Sequence, residues 1–374
     1  MEGFMGVSYS IFINFVLMQF TEKDVLAALS TVPEPDLKKD LVTLGMIRDI
    51  QINDHQLQFT VVLTTPACPL KETIRKSCEA AIHQHINPQI EVNVLMTAEV
   101  TTALQSPMLE GVRNIIAVAS GKGGVGKSTV TANLALSLAK SGARVGIIDA
   151  DISGPSIPVM FGVEDERPDV AVINDKNMIV PILQYGIKII SMGFLAPAES
   201  AVVWRGPMAS KALRQFLGDT HWGELDYLFI DLPPGTGDIH LTLVQAVPLT
   251  GAVLVTTPQK VALADAIKGL AMFQQPQINV PVLGVVENMS YFTPAELPEN
   301  KYYIFGKDGG KNLAEQYNVP FLGEIPLVQS IREGGDEGLP AVAHTNEASA
   351  KAFAEVAEGL ARQIAIRNAN LIPA

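Results

Sequence analysis

The chain has 374 residues and a formal net charge of −12, and 48% of its residues are hydrophobic. This length suffices for two domains, and the hydrophobic share can fill a sizeable core. An acidic chain without a cluster of lysines and arginines lacks the surface that binds nucleic acids, so we expect no nucleic-acid partner. Cys68 and Cys78 form neither a disulfide framework nor a C-x-x-C pair. Two cysteines without a disulfide framework are typical of a protein in a reducing compartment, and they predict a cytoplasmic location.

Residues 1–20 are interpreted as an N-terminal extension without a structural role. Gly3–Thr21 carries no charge but includes Ser8, Ser10, Asn14 and Gln19. A membrane span needs about 20 mostly apolar residues, and a secretory signal needs a basic start and a small-residue cleavage site. We therefore expect no stable membrane insertion, with membrane anchoring as the alternative.

Residues 21–98 predict a small α/β domain. Thr21–Asp24 has helix-capping chemistry, and Pro33 ends the helix that follows. Residues 99–111 are the predicted linker. The remaining predicted elements are strands over Val42–Ile52 and Leu57–Leu63, a helix over Leu70–Ile86 and a strand over Ile90–Thr97.

Residues 112–367 predict a larger domain in which strands alternate with helices, and 368–374 are a predicted tail. Such alternation favours an α/β fold with a mostly parallel sheet and helices on both faces. The predicted strands are Val112–Ala119, Ala143–Ile148, Ile187–Ser191, Asp226–Leu232, Ala252–Thr257, Val280–Glu287 and Phe321–Ile325. The predicted helices are Thr129–Lys140, Ala201–Leu217 (in most of its length), Ala262–Gln274, Asp308–Tyr317 and Ser349–Arg367.

A phosphate-binding loop lies between the first strand and helix of this domain. The pattern G-x-x-x-x-G-K-[ST] begins at Gly121, and strand, loop, helix and strand follow in the order that the motif requires. Lys127 is expected to contact the β- and γ-phosphates, and the Ser128 hydroxyl to bind Mg²⁺. The residues predicted to contact ATP are Gly121, Lys122, Gly123, Gly124, Val125, Gly126, Lys127, Ser128 and Thr129.

Carboxylates follow two further strands. Asp151 comes just after Ala143–Ile148, where an open α/β sheet binds its ligand, and is predicted to orient the attacking water. Capping of a helix or loop is the alternative. Asp231 ends an apolar strand and is predicted to bind Mg²⁺. The proline–glycine segment Leu232–Asp238 follows it. This segment can sense the γ-phosphate, or it is only a turn.

Asn288 follows a strand late in the predicted sheet. Its amide has a donor and an acceptor side by side, which suits a contact with adenine. An Asn at a strand end is also a common turn former, and Gln259 carries the same ambiguity.

These residues together resemble a known family. Lys122 makes the loop similar to the deviant phosphate loop of the MinD-like ATPase superfamily, and the chain closely resembles the Mrp/ApbC iron–sulfur cluster carrier ATPases. The small domain resembles one shared with iron–sulfur assembly proteins, with Thr64–Pro69 as its cysteine motif. The segments that carry the resemblance in the larger domain are Ala119–Ser128, Asp149–Ser156, Trp204–Met208, Ile230–Asp238 and Val286–Tyr291.

The resemblance implies an ATPase that carries iron–sulfur clusters to apoprotein clients or assembly proteins. It also implies a homodimer with two ATP molecules between the subunits. Lys122 would reach the partner's phosphates, and Asp151 would position the attacking water.

The chain departs from the family at one point. Members usually carry a C-x-x-C shortly after the strand that precedes Asn288, but no cysteine follows Cys78 here. Cys68 is then the candidate cluster ligand. The alternative is that Cys68 only packs as a small, buried apolar side chain. Cys78 is expected to serve packing. An ATP-gated scaffold or a MinD-like positioning switch without a cluster stays the alternative function.

Overall fold

The computed structural model describes residues 20–53, 56–195, 206–294, 296–297, 299–343 and 348–371. Residues 1–19, the start of the predicted helix at 201–205 and residues 372–374 lie outside the described residues. Contacts divide the chain into a smaller unit, up to Val62 and from Leu70 to Thr97, and a larger unit, Leu63–Pro69 and from Ala98 onward. The cysteine motif thus groups with the larger unit, although it lies inside the segment 21–98. The domain boundaries stay predictions.

The smaller unit combines helices with a three-stranded sheet of order β3-β4-β5. The predicted capping box is present, because Thr21 and Asp24 exchange hydrogen bonds at the start of α1. The elements are α1 (Glu22–Leu29), β1 (Pro33–Glu34), β2 (Lys39–Asp40), β3 (Ile47–Asn53), β4 (Gln56–Leu63), α2 (Lys71–His85) and β5 (Glu91–Ala98).

The strand predicted over Val42–Ile52 was too long at its start, because β3 begins only at Ile47. The Asp40 carboxylate accepts a hydrogen bond from the Thr43 N–H at 2.8 Å, and Gly45 has a φ of 65°. An Asp side chain that accepts a hydrogen bond from the backbone three residues further on, and a glycine with positive φ, favour a turn over a strand.

The larger unit is built on an eight-stranded sheet of order β10-β11-β7-β12-β6-β13-β14-β15. Every recorded pairing in it is parallel except β10 with β11. Its elements are β6 (Ile115–Ala119), α3 (Lys127–Lys140), β7 (Val145–Asp149), α4 (Ile157–Met160), β8 (Asp169–Ile173), β9 (Lys176–Val180), β10 (Ile182–Gln184), β11 (Ile187–Ser191), α5 (Gly206–Gly218), β12 (Tyr227–Asp231), α6 (Asp238–Ala246), β13 (Gly251–Thr256), α7 (Lys260–Phe273), β14 (Val282–Glu287), α8 (Gly309–Gln316), β15 (Phe321–Glu324), α9 (Gln329–Asp336) and α10 (Ala348–Leu371).

Alternate side chains of the central strand β6 enter two separate cores. Ile116 and Val118 pack with apolar residues of α3 and α10, whereas Ile115 and Ala117 pack with those of α5 and α6. Since successive side chains of a strand point to opposite faces, helices cover both faces of the sheet. This arrangement confirms the predicted fold class. None of the described helices is long and apolar enough to cross a membrane.

Several elements of the larger unit were not predicted, namely the hairpin β8–β9, the strand β10 and the helices α4, α6 and α9. The hairpin turns at Asn174 and Asp175, whose φ angles are 51° and 60°. Two adjacent residues with positive φ are typical of a tight hairpin turn, and Asn and Asp adopt it more easily than most residues. The dipeptide Asn174–Asp175 was therefore the feature of the sequence from which this hairpin could have been predicted.

Candidate nucleotide-binding site

The phosphate loop owes its shape to glycine and to one amide. Gly124 and Gly126 have φ angles of 81° and 80°, which other residues rarely adopt. The Asn288 amide donates a hydrogen bond to the Val125 carbonyl at 2.8 Å. A Cβ atom on Gly126 would lie 2.2 Å from that amide nitrogen, so a side chain there would displace it. Asn288 therefore holds the loop from across the sheet edge.

Lys127 begins α3 and lies between two carboxylates. Its ammonium is 2.8 Å from the nearer oxygen of Asp231 and 3.7 Å from that of Asp151, and the residue is only 6% exposed. The strand register explains this meeting, because Asp231 pairs with Val118 of β6 on one side and Asp149 of β7 on the other. The carboxyl ends of neighbouring parallel strands thus bring Lys127, Asp151 and Asp231 together, although they are far apart in sequence.

Asp231 also binds two hydroxyls of α3. Its Oδ2 accepts a hydrogen bond from Ser128 at 2.5 Å, and its Oδ1 accepts one from Thr131 at 2.7 Å. A hydroxyl and a carboxylate oxygen in contact are ligands that suit Mg²⁺. The donor set therefore fits the predicted metal. Thr131 was not predicted, because only the folded chain brings it to Asp231.

The segment after β7 is held by Asp149, which is fully buried. Its carboxylate accepts hydrogen bonds from the Ser191 hydroxyl at 2.9 Å and from the N–H groups of Asp151 and Ile157 at 3.2 Å each. Burial and the neighbouring Asp231 raise the pKa of Asp149. This anchoring role of Asp149 was not predicted, although its place at the end of a strand could be seen in the sequence.

Asp151 is thereby fixed at the rim of the site. Its Oδ1 accepts a hydrogen bond from the Ser153 N–H at 3.1 Å. Burial raises the pKa of Asp151, and the Lys127 ammonium lowers it by less. A carboxylate with a raised pKa beside a phosphate-binding lysine is suited to accept a hydrogen bond from water.

Lys122 differs from Lys127 because it is exposed. Within the described part of the chain it forms no ion pair. Its carbonyl accepts a hydrogen bond from the Ser120 hydroxyl at 3.0 Å, and the Ser120 carbonyl accepts one from the Gly235 N–H at 2.9 Å. The proline–glycine segment is thus joined to the start of the phosphate loop.

A cavity of about 500 Å³ opens beside the loop. Most of its lining is apolar, which is typical of small-molecule pockets, and its size suits a nucleoside. Asn288 lies in its wall, but its amide donor is used by Val125, so the predicted adenine contact stays a prediction. The lining includes Gly126, Thr129, Pro155, Val159, Met160, Asn288, Met289, Leu327 and Ile331.

The two cysteines differ in burial. Cys78 is fully buried in α2, and burial raises the pKa of its thiol to about 12, which agrees with the expected packing role. Cys68 is half-buried in the loop Leu63–Pro69. There Ala67 packs into the core of the larger unit, and Thr65 accepts a hydrogen bond from the Tyr227 hydroxyl at 3.1 Å. In the described ranges, no group of three or more His, Cys, Asp or Glu side chains could hold a metal ion.

Comparisons with known proteins show which family the chain belongs to. Residues 22–95 match the family of iron–sulfur cluster assembly proteins. An iron–sulfur cluster carrier protein of Synechocystis sp. is 49% identical over 351 residues, which cover 92% of this chain and 98% of the relative. A carrier of the same name from Escherichia coli K12 is 43% identical over 346 residues, 91% of each chain.

A solved structure of a nucleotide-binding protein from Archaeoglobus fulgidus in complex with ADP is also similar. It is 44% identical, has a TM-score of 0.54, and the match covers 62% of this chain and 88% of that one. Residues 111–361 match the NUBPL iron-transfer P-loop NTPases, and the chain belongs to that family.

Proposed function

We propose that the chain is an ATP-hydrolysing carrier that delivers iron–sulfur clusters to apoproteins. The observation that carries this proposal is the meeting of Lys127, Ser128 and Asp231 at the carboxyl edge of the sheet. That arrangement serves phosphoryl transfer. The relatives that match nearly the whole length of this chain are named iron–sulfur cluster carrier proteins.

The proposed hydrolysis divides the work among four side chains. Lys127 binds the β- and γ-phosphates, and Ser128 and Asp231 hold Mg²⁺, which neutralises charge on the phosphate oxygens when bound. Because Lys127 is then paired with phosphate, Asp151 is free to orient the attacking water. The burial of Asp151 supports this role, since a desolvated carboxylate is a stronger base for water.

We also propose that the active form is a homodimer in which Lys122 acts on the partner's nucleotide. The exposure of Lys122 supports this role, because a side chain that serves its own loop would be expected to lie against it. A cation supplied from a second subunit can stabilise charge that develops in the transition state.

Cys68 is the proposed ligand for the cluster. Two copies of the chain would offer two equivalent thiolates, whereas a cluster usually takes four protein ligands. Binding should then be weak and the cluster easily transferred to apoproteins. We place this function in the cytoplasm, although one relative, the Fe-S cluster assembly factor HCF101 of Arabidopsis thaliana, is chloroplastic.

Anaerobic reconstitution with iron and sulfide tests the proposal. The wild-type chain should gain a cluster absorbance and iron that pass to an apo-ferredoxin, and ATP with Mg²⁺ should change the transfer rate. Lys127→Ala should bind the cluster but lose the effect of ATP. A wild-type chain that gains no more iron than Cys68→Ser would favour the ATP-gated scaffold instead.

A further inference from the structure

The cavity beside the phosphate loop has two helical walls. Val159 and Met160 belong to α4 on one side, whereas Ile331 belongs to α9 on the other. The two helices have only four and eight residues. Helices this short are held by packing and not by their own hydrogen bonds. The shape of the cavity therefore depends on what keeps α4 and α9 together.

The two walls meet at a pair of glycines. Gly162 lies just after α4 and Gly338 just after α9, and their φ angles are 65° and 72°. A Cβ atom on Gly338 would lie 2.6 Å from the Gly162 Cα. No side chain fits there unless the backbone moves, because the atom it would meet is itself part of the main chain. A shift of one helix end is thus transmitted to the other.

Tyr185 fastens this junction to the edge of the sheet. Its hydroxyl donates a hydrogen bond to the Gly338 carbonyl at 3.0 Å. Its ring contacts that of the fully buried Phe161, with the two ring centroids 6.1 Å apart. The side-chain amide of Gln184 donates to the Phe161 carbonyl at 3.0 Å. The turn after β10 therefore holds the chain at the ends of both α4 and α9.

The backbone conformation of Tyr185 is unusual for its residue type. Tyr185 and Gly186 form the two-residue turn between β10 and β11, and their φ angles are 50° and 78°. Asn, Asp and Gly are preferred in such turns, since a bulky side chain is disfavoured at positive φ. Residues in disfavoured conformations persist where their surroundings hold them, and they cluster at functional sites. The hydrogen bond to Gly338 gives a reason for a tyrosine at this position.

We propose that Tyr185 is a positioning residue for the nucleoside part of ATP. Its hydrogen bond to Gly338 keeps α9 against α4 and so keeps the cavity at the width that fits base and ribose. The phosphates bind to Lys127 and the loop before α3, which are other elements. Tyr185 therefore contributes to nucleoside affinity and not to the chemical step. This inference rests on the proposed ATP-binding function and deepens it.

Tyr185→Phe removes the hydroxyl and retains the ring. Calorimetry with Mg²⁺ gives the Kd of a non-hydrolysable ATP analogue, of ADP and of pyrophosphate, and steady-state hydrolysis gives KM and kcat. The analogue and ADP should each bind about fivefold more weakly, because one hydrogen bond between neutral groups is lost. KM should rise, while kcat and the Kd of pyrophosphate should not change. Tyr317→Phe, at the end of α8, is the matched control and should behave as the wild type.

Gly338→Ala disturbs the same junction from its other side. The added Cβ forces Gly338 away from Gly162, so the variant should show the same selective loss of analogue and ADP binding. Gly142→Ala is the control for backbone strain. Gly142 also has a positive φ, of 101°, but a Cβ atom there would have no other atom within 4 Å.

The pyrophosphate measurement separates a loss of the nucleoside cavity from a general loss of structure. The inference is overturned if Tyr185→Phe binds the analogue and ADP as the wild type does, or if its affinity for pyrophosphate falls equally. A lower kcat with an unchanged KM, or wild-type nucleotide affinity in a folded Gly338→Ala, overturns it as well. If Gly338→Ala does not fold, the result for Tyr185→Phe decides alone. A wild-type chain that binds neither the analogue nor pyrophosphate contradicts the proposed function itself.

Discussion

The Asp231 carboxylate has three partners and divides them between its two oxygens. Oδ1 accepts from Thr131, while Oδ2 accepts from Ser128 and pairs with Lys127. A buried charge is tolerated when it is paired and hydrogen-bonded in this way. The same contacts hold the first turn of α3 against β12, so the residue that would bind Mg²⁺ also shapes the phosphate loop.

The two lysines of the loop should differ in what they contribute. Lys127→Ala should weaken ATP binding by roughly one to two orders of magnitude, because a charge-assisted contact with phosphate is lost. Lys122→Ala should spare binding and lower kcat on the order of a thousandfold, as expected for a cation supplied by a neighbouring subunit. Equilibrium binding and steady-state hydrolysis measure the two effects. Lys351→Ala, an exposed lysine of α10, is the control, and wild-type turnover in Lys122→Ala would contradict the role across subunits.

His240, which is buried in α6, should lower the stability of the nucleotide-free chain at acidic pH. Its pKa falls from about 6.5 in the unfolded chain to about 4 in the folded one, so below pH 6.5 the unfolded chain binds the additional proton. Its contribution is present above pH 6.5 and is lost as the pH falls to 4, by roughly 3 kcal/mol at most. Urea unfolding at pH 7.5, 6 and 5 should show a smaller loss of stability for His240→Gln than for the wild type. Equal losses would place the acid sensitivity elsewhere.

The residues of the phosphate loop could be predicted because they are contiguous in sequence. The places of Asp231 and Asp151 at the ligand edge could be predicted, because Asp231 ends an apolar strand and Asp151 follows one. The hydrogen bond from Asn288 to Val125 could not be predicted, since it joins residues 163 positions apart. The burial of His240 could not be predicted either, because it depends on the packing of α6, which was not predicted.

The short segment between β7 and α4 is held from several sides. Asp149 at the end of β7 bonds to Ser191 of β11 and to the backbone of Ile157 at the start of α4. Asp151 lies between these attachments, so its carboxylate has little freedom to leave the rim of the site. Removal of its charge should therefore change the chemistry more than the geometry.

Asp151→Asn should bind ATP and accumulate as a closed dimer. The amide is nearly the same size, but it orients water poorly and accepts no proton. Size-exclusion chromatography with ATP and Mg²⁺ should show a dimer that persists, and kcat should fall at least a hundredfold. Asp165→Asn, on an exposed turn, should behave as the wild type. Normal hydrolysis by Asp151→Asn would remove this residue from the proposed mechanism.

Element boundaries could be predicted best where a strand is buried on both faces. The five residues of β11, Ile187–Ser191, have the predicted bounds, because an apolar run between turns has one register in a parallel sheet. The hairpin β8–β9 has no such burial, and Val170 and Val172 are largely exposed. Its strands are specified by the turn between them and not by a core, which is why hydrophobic patterning did not reveal them.

At the scale of the whole molecule, substitutions should abolish iron–sulfur cluster binding without changing ATP hydrolysis. Cys68→Ser should abolish the iron that the wild type gains on reconstitution, and Cys78→Ala should not, because the Cys78 thiol is fully buried. Both variants should keep wild-type ATPase rates. Iron counting beside steady-state hydrolysis measures the two properties in one preparation. Wild-type iron in Cys68→Ser would end the proposal that this thiol holds the cluster.

The strand β12 connects the loop that carries Cys68 with the nucleotide-binding site. Tyr227 at its first residue donates to Thr65 of the Cys68 loop, and Asp231 at its last residue binds Lys127 and Ser128. Five residues of strand separate these ends by about 13 Å. A copy whose thiol is damaged by oxidation would therefore keep an intact nucleotide site. Such a copy would still consume ATP while it delivers nothing, so the hydrolysis rate of a preparation gives no measure of how many of its molecules can carry cargo.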